Sequence, residues 1–374
     1  MGRAEGDILL GHVTVPSGIV LLIDGGMLGA WSHDRRPALD ERVWGAHLAR
    51  AADTAVDLIA RGADAITAVR LFNRASGRPP YVFDVPQAAV AETVREFAAV
   101  ADEHGLDARL EPAPERVPHR RRAAALLEAT PGVAQVPFCG MWAVACEGVP
   151  SRARLPVAGR RMPEGSGYDD WWQSVWLELS DAEVTSAVLA ASVLVDRARL
   201  MFADVDAVGS WKDVESLDGL VDVVFWGRDA GTAATESGAA RLGLTGEAQS
   251  YGWIDLDAAR ARDAHMRLEM QQARGRRFAI DVRPHSHSYQ LLARAGASPT
   301  QSGEVEIGGA VVCGFATTWG DGAFDVYRDL AADGSLARLR IEMGTAERVA
   351  MIDREEEDDD EDEDHGVDDR VDHV

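Results

Sequence analysis

The chain has 374 residues, of which 46% are hydrophobic, and a formal net charge of −24. Its length exceeds the roughly 100 to 200 residues of an ordinary domain, so two units are expected. The acidic balance argues against direct nucleic-acid binding, which requires a basic surface, and no apolar run reaches the roughly 18 residues that a membrane-spanning helix needs.

The N-terminus and the cysteines predict a cytoplasmic protein. The first residues are polar and lack the basic region, apolar core and small-residue cleavage site of a secretory signal. An odd number of cysteines in a long chain, namely Cys139, Cys146 and Cys313, argues against a disulfide framework and indicates free thiols. Lys212 is the only lysine, which removes most candidates for Schiff-base chemistry.

The first half of the chain, residues 1–148, predicts an α/β unit that opens with a β-hairpin. Two β-branched runs between Asp7 and Asp24, separated by a Pro-Ser-Gly turn, indicate the hairpin. Leu39 to Arg61 has helical spacing, Ala65 to Phe72 predicts a strand, and Gln87 to His104 predicts a second helix. No internal repeat is evident at this level.

The second half predicts an α+β unit over residues 171–352, after a linker or long loop at residues 149–170 that is rich in Pro, Gly, Ser and Arg. Gly308 to Gly344 contains three apolar runs separated by Gly-Asp-Gly and Asp-Gly turn signals, which predict a three-stranded antiparallel meander. The expected fold class is therefore α+β, in which the opening hairpin and the closing meander share one antiparallel sheet around central α/β units.

The C-terminal segment, residues 353–374, is predicted to be a disordered acidic tail. It contains 14 acidic and 2 basic residues and almost no apolar ones, so it cannot bury enough surface to offset its ordering entropy. The tail is either a solubilising appendage or an electrostatic docking arm for a basic partner. A loose cation-binding brush that includes His365 and His373 is a further alternative.

One candidate metal site is the acidic loop from Asp204 to Glu215. Against the calcium-loop pattern it supplies Asp204, Asp206, Gly209 and Glu215 at positions 1, 3, 6 and 12, but two other ligand positions carry valine and lysine. The same Asp-x-Asp pair resembles the nucleophile motif of haloacid-dehalogenase-type phosphatases, although the downstream lysine of that family is missing. A plain acidic loop after an apolar element is the structural alternative.

A second candidate metal site is His285-Ser286-His287. An extended backbone would place the imidazoles of His285 and His287 on one side, a spacing that metal sites use, and Asp281 could join them. A polar loop that follows a strand explains the same residues without a metal.

Two terminal segments resemble a known group of domains. The pattern W-G-D-G-A-F-D-V-Y…D-G-S-L…L-R-I-E-M at Trp319–Met343 resembles the closing hairpin of small β-rich bacterial domains of unknown function. The pattern V-x-V-P-S-G-I-V-x-x-x-D at Val13–Asp24 is similar to the first hairpin of the same domains. Some members are found near toxin–immunity systems, so the resemblance implies a bacterial, immunity-like protein.

The leading functional prediction is a non-enzymatic cytoplasmic interaction or regulatory protein that docks a protein partner through its acidic tail and needs no cofactor. It depends on the lack of any Walker loop, G-x-S-x-G, H-E-x-x-H or C-x-x-C motif. The alternative is a metal-dependent enzyme or calcium-binding protein. That alternative would use a divalent cation held by Asp204, Asp206 and Glu215 or by His285 and His287.

Overall fold

The computed structural model describes residues 6–31, 55–72, 77–78, 80–242, 250–352 and 354. Its main body consists of two six-stranded antiparallel sheets that pack face to face. In spatial order, sheet A contains β1 (Asp7–Thr14), β9 (Arg154–Arg161), β10 (Trp172–Glu178), β20 (Leu336–Glu342), β19 (Gly322–Leu330) and β11 (Ser186–Val195). Sheet B contains β17 (Ser302–Ile307), β18 (Ala310–Ala316), β12 (Arg199–Asp204), β2 (Ile19–Asp24), β8 (Met141–Glu147) and β7 (Val133–Phe138).

The core between the sheets is apolar and tightly packed. Trp172 and Phe324 from sheet A meet Phe202 and Phe315 from sheet B, and each of these rings is at most 1% exposed. Burial of one such side chain contributes about 2–3 kcal/mol. Gly159 provides the space for Trp172, because a Cβ atom at this position would lie 2.9 Å from the indole.

The outer face of sheet B is covered by helical segments. These segments are α3 (His119–Ala129), α6 (His287–Ala297) and two 3₁₀ turns at Leu28–Ala30 and Ala207–Ser210. Trp31 and Trp211, each directly after one of the 3₁₀ turns, are buried in this second core.

Two smaller four-stranded antiparallel sheets complete the described fold. Sheet C contains β4 (Gly77–Arg78), β5 (Tyr81–Pro86), β3 (Ala55–Arg61) and β6 (Arg109–Pro112), with helices α1 (Ala65–Phe72) and α2 (Val90–Glu103). Sheet D contains β14 (Ala240–Leu242), β15 (Ser250–Asp257), β13 (Leu220–Trp226) and β16 (Ala279–Pro284), with helices α4 (Ala230–Ser237) and α5 (Ala258–Ala273). Both units have the chain order β-α-β-β-α-β.

The chain is an internal duplication. Repeat 1, residues 7–178, and repeat 2, residues 186–342, contain the same elements in the same order: two strands, a 3₁₀ turn, the small four-stranded unit, a helix and four further strands. In sheets A and B, each strand of repeat 1 and its counterpart in repeat 2 lie at equal distances from the centre of the sheet. The central pairs are β10 beside β20 and β2 beside β12. The two repeats are therefore related as the halves of a twofold-symmetric dimer.

The duplication leaves one sequence signature. The pattern V-D-x-x-x-x-G-x-D-A-x-T-A occurs at Val56–Ala68 and again at Val221–Ala233. The expectation that the chain has no internal repeat is wrong, because most other equivalent positions have diverged while their burial pattern persists.

The α+β fold class is confirmed, but the predicted hairpin and meander do not form. Strand β1 pairs with β9 in sheet A, whereas β2 pairs with β8 and β12 in sheet B. Likewise β18 pairs with β17 and β12, so that of the three strands of the predicted meander β19 and β20 alone pair with each other. The turns after β1 and β18 lead from one sheet to the other, which local turn chemistry does not distinguish from a hairpin.

Three local predictions also differ from the structure. Residues 149–170, predicted to be a linker, contain β9, which lies between β1 and β10 in sheet A. Ala65–Phe72 is helix α1, because Ala65, Ala68 and Val69 share one buried face at helical spacing, whereas a strand was predicted. Ala55–Arg61 is a strand and not the end of the predicted helix. The earlier part of that helix, residues 39–54, lies outside the described residues, as does the acidic tail except for residue 354. None of the described helices is long and apolar enough to span a membrane.

Candidate functional site

A pair of aspartates occupies the same place in the two small sheets. Asp57 and Asp84 lie on neighbouring strands of sheet C, and Asp222 and Asp255 lie on the equivalent strands of sheet D. In each pair the backbone N–H of the second aspartate donates to Oδ1 of the first over 2.9 Å. The shared hydrogen bond identifies the two pairs as equivalent.

The backbone at both pairs has the same unusual geometry. Asp84 and Asp255 have φ values of 56° and 55°, a left-handed conformation that few residues other than Gly, Asn and Asp tolerate. The strand register shifts beside Asp57 and beside Asp222, as at a β-bulge. Bulges redirect side chains, and here they bring two carboxylates from adjacent strands together.

In repeat 1 a guanidinium group fills the space between the carboxylates. Nη2 of Arg122, on α3, lies 3.1 Å from each oxygen of Asp57 and 3.0 Å from Oδ1 of Asp84, while Nη1 donates to Oδ2 of Asp84 over 2.7 Å. The guanidinium carbon lies 4.0 Å from the centroid of the Phe83 ring. All three charged side chains are at most 1% exposed.

Further groups complete the repeat 1 cluster around Asp84. Arg116 Nη2 donates to Oδ1 over 2.7 Å, the Cys139 N–H donates to Oδ2 over 2.8 Å, and His119 Nε2 lies 3.1 Å from Oδ2. Burial would raise the pKa of Asp84, but His119 and Arg122 outweigh burial and hold that pKa well below its usual range. Burial lowers the pKa of His119 to about 4 in spite of Asp84, so this imidazole is neutral at pH 7.

The repeat 1 cluster is structural. Ligand atoms of Asp84, His119 and Cys139 lie within 4.8 Å of one another, as a metal site would require. Guanidinium groups already occupy Asp84, however, and burial raises the pKa of Cys139 to about 11, so the sulfur is a protonated thiol. A closed, charge-balanced cluster of this kind leaves no room for a ligand.

The repeat 2 cluster is open and has a different cation. His285 Nε2 lies 3.1 Å from Oδ1 of Asp222 and 3.8 Å from Oδ1 of Asp255, and His285 Nδ1 lies 2.9 Å from Asp218 Oδ2. The Tyr289 hydroxyl donates to Oδ2 of Asp222 over 2.7 Å. The side chain of Asp255 is 65% exposed, whereas its counterpart Asp84 is fully buried.

The charges in the repeat 2 cluster stabilise one another. Partial burial would lower the pKa of His285, but hydrogen bonds to Asp218 and Asp222 outweigh burial and raise it. Desolvation would raise the pKa of Asp218, but hydrogen bonds from His285, the Leu220 N–H and Ser216 together outweigh desolvation and lower that pKa to about 2. Burial and the carboxylate of Asp222 raise the pKa of Tyr289 to about 12, so the hydroxyl remains a donor.

A cavity of about 810 Å³ opens beside this cluster. Such a volume falls within the range of pockets for small organic ligands. Its polar end includes Asp222 and Tyr289, and its side includes Asp281, which forms a 2.6 Å ion pair with Arg283. Its apolar wall consists of Val224, Leu242, Ile254, Val282 and Leu292.

The predicted calcium loop has a structural role. Asp204 ends β12, and its Oδ1 accepts N–H donors from Asp206 and Ala207, each over 2.9 Å. Its Oδ2 accepts the Ser17 N–H of repeat 1 over 2.8 Å. A strand therefore precedes the loop and a 3₁₀ turn lies within it, whereas a calcium loop is flanked by two helices. No group of three potential ligand atoms among the described residues includes Asp204, Asp206 or Glu215.

Asp24 is the residue of repeat 1 that is equivalent to Asp204, and both are buried because they accept backbone donors of the opposite repeat. Asp24 ends β2 and accepts the N–H groups of Asp196 and Arg197, in the β11–β12 turn of repeat 2, over 2.6 and 3.0 Å. Asp204 accepts from the β1–β2 turn of repeat 1 in return. The two aspartates thus join the repeats reciprocally, and their oxygen atoms satisfy backbone donors.

The predicted histidine pair diverges. His285 follows β16 and joins the pocket cluster, whereas His287 begins α6, where its Nδ1 accepts the Lys212 N–H over 2.8 Å and its ring stacks on Trp211. His119 stacks on Trp31 in the same way in repeat 1. Sequence reasoning identified His285 but missed Asp222, Asp255 and Tyr289. The repeated V-D-x-x-x-x-G pattern, which includes Asp57 and Asp222, was the signal that could have located the pair.

Comparison of the chain with protein-family models, curated proteins and solved structures found no significant match.

Proposed function

We propose that the protein is a non-enzymatic interaction protein that recognises a cationic group of a protein partner in the pocket of repeat 2. The observation that carries this proposal is the contrast between the two clusters. Repeat 1 encloses its aspartate pair and neutralises it with an internal cation, whereas repeat 2 leaves Asp255 exposed beside a cavity of about 810 Å³. One copy of the duplicated unit supports the fold, and the other is available for a ligand.

The chemistry of the pocket suits binding better than catalysis. Both ring nitrogens of His285 face carboxylates, so its protons are held by Asp218 and Asp222 and it offers no unshared electron pair to a substrate. Burial, as the leading cause, raises the pKa of Cys139, Cys146 and Cys313, so none of the three thiols is a thiolate at neutral pH.

The walls of the pocket can bury the carbon skeleton that carries the cation. Ile254 and Leu292 are 57% and 45% exposed, which is unusual for large aliphatic side chains in a concave site. Each 100 Å² of apolar surface removed from water there contributes about 2.5 kcal/mol. Three aspartates line the pocket against two arginines, Arg241 and Arg283, and this acidic excess together with the apolar wall favours an amphipathic cationic side chain.

Overall charge supports a basic partner. The chain carries a net charge of −24, and residues 353–374 contribute half of it. Such a field accelerates the approach of a positively charged surface. We assign the acidic tail to this steering role and the pocket to specific recognition, in a cytoplasmic and immunity-like protein.

Site-specific photocrosslinking in the source cells tests the pocket. A benzoylphenylalanine placed at Leu292 should capture a discrete partner, whereas the same group at Met270, which is 55% exposed on α5, should not. The captured partner, purified, should bind the wild-type protein directly. Equal capture at both positions, or none at Leu292, would contradict the proposal.

A divalent cation is the second candidate for this site. Ligand atoms of Asp222, Asp255 and His285 lie within 4.8 Å of one another, and mixed carboxylate and imidazole ligands suit zinc or manganese. Such an ion would displace the proton of His285 Nε2 that now faces Asp222. This arrangement supports the metal-dependent alternative better than His287 does. Stoichiometric metal in the purified protein, lost in the Asp255→Asn and His285→Ala variants, would favour the metal over an organic cation.

A further inference from the structure

We infer that the cationic group recognised by the repeat 2 pocket is a guanidinium, presented by an arginine side chain of the partner. This inference rests on the proposed function and names its ligand. It is carried by the equivalence of the two aspartate pairs, because repeat 1 contains its own example of a bound guanidinium.

The two aspartate pairs share the same local geometry. Both pairs combine a bulge at the first aspartate, a left-handed second aspartate and the same 2.9 Å hydrogen bond between them. The backbone geometry and the carboxylate pair that hold Arg122 in repeat 1 thus recur in repeat 2, where Asp222 already contacts His285 and Tyr289 and Asp255 provides the exposed oxygens. A planar guanidinium can bridge two carboxylates through several nitrogens, which a spherical ammonium cannot do.

An apolar side chain precedes the second aspartate in both pairs. Phe83 precedes Asp84 and lies under the Arg122 guanidinium at 4.0 Å. Ile254 precedes Asp255, lines the pocket and is 57% exposed. A guanidinium between Asp222 and Asp255 would cover Ile254 as Arg122 covers Phe83, which accounts for an exposed isoleucine at this position.

The cationic side chain that contacts the aspartate pair differs between the repeats. If α3 and α6 are aligned by the histidines that begin them, the residue equivalent to Arg122 is Gln290. His285 contacts the pair instead and directs a single nitrogen at it, whereas Arg122 directs two. The carboxylate of Asp255, 3.8 Å from that nitrogen and 65% exposed, retains acceptor capacity for an incoming donor.

Three small probes test the inference on the full-length protein by NMR titration in buffer that contains a metal chelator. Acetyl-arginine amide supplies the guanidinium, acetyl-citrulline amide is its neutral isostere, and acetyl-lysine amide supplies an ammonium. The arginine probe should bind about tenfold or more tightly than the citrulline probe, because charge-assisted hydrogen bonds are lost in the latter. It should also bind more tightly than the lysine probe.

The matched variants are Asp255→Asn and Glu306→Gln. Asparagine tolerates the left-handed backbone of Asp255, so the variant should fold normally and lose about tenfold in affinity for the arginine probe. Glu306 is exposed on β17 and belongs neither to the aspartate pair nor to the pocket lining, and its variant removes the same charge, so its affinity should not change.

Each other outcome has a definite meaning. Equal binding of arginine and citrulline probes, or unchanged affinity in Asp255→Asn, overturns the inference. Equal binding of arginine and lysine probes rejects a guanidinium but leaves a cation-binding pocket. If no probe binds while crosslinking at Leu292 still captures a partner, the arginine assignment fails and the proposed function stands.

Discussion

Replacement of Arg122 by methionine should destabilise the protein strongly. The substitution removes the guanidinium that donates to Asp57 and Asp84, both of which have side chains with no exposed surface. Methionine retains most of the apolar volume over Phe83, so the packing of sheet C changes little. The variant therefore removes mainly the charge compensation, together with the hydrogen bond from Arg122 Nε to the Val117 carbonyl.

The magnitude follows from the burial of the carboxylates. Removal of one partner from a buried ion pair costs about 3–5 kcal/mol, because the remaining charge can neither hydrate nor find a counterion. Arg116 and His119 continue to contact Asp84, whereas Asp57 retains only the backbone donors of Asp84 and Val117. Most of the cost should thus arise at Asp57.

Urea unfolding at pH 7 measures this effect, and Arg121→Met is the matched control. Arg121 is exposed on the same helix, so its substitution should change the free energy of unfolding by less than about 0.5 kcal/mol. Asp57→Asn combined with Arg122→Met should recover part of the loss, since the charge and its partner are removed together. A loss below about 1 kcal/mol for Arg122→Met would refute the view that this guanidinium neutralises a buried pair.

The buried histidine of repeat 1, the aspartates that join the repeats and the acidic tail can be tested in the same way. His119 has a pKa of about 4 when folded and 6.5 ordinarily, so unfolding takes up a proton in this range. Stability should fall by about 3 kcal/mol as the pH drops from 6.5 to 4, and His119→Gln should flatten that dependence in pH-dependent melts. Asp24→Asn and Asp204→Asn should each lower the free energy of unfolding by about 1–3 kcal/mol, because backbone donors lose their acceptor. Added calcium should not raise the melting temperature of the wild-type protein. A calcium-dependent rise would show that the loop is a metal site. Deletion of residues 353–374 should slow association with the captured partner and weaken its salt dependence in stopped-flow measurements, and an unchanged rate would remove the steering role.

Because the chain contains two equivalent repeats, the effect of a substitution in one repeat can be compared with that of the equivalent substitution in the other. Asp24 and Asp204 accept backbone donors of the opposite repeat, and His119 and His287 stack on equivalent tryptophans. Where the repeats differ, as at the two aspartate pairs, one copy has become closed and the other open. The same backbone device can therefore stabilise the fold in repeat 1 and bind a ligand in repeat 2.

Local sequence determined the elements whose signals are short-range. The α+β class, the β19–β20 hairpin and helix α2 follow from residue periodicity and turn residues, and all three are present. Even so, Ala65–Phe72 was predicted to be a strand and is helix α1, because a short apolar run fits both periods until its packing partner is known.

Tertiary structure decided which strands pair and which charges meet. Adjacent runs such as β1 and β2 separate into different sheets, because each strand is stabilised by the partner that completes its sheet and not by its neighbour in sequence. Asp222 and Asp255 lie 33 positions apart, and a bulge and a left-handed residue bring them together. His285, which the sequence identified, became part of a site only when the fold placed it between carboxylates that sequence spacing could not pair with it.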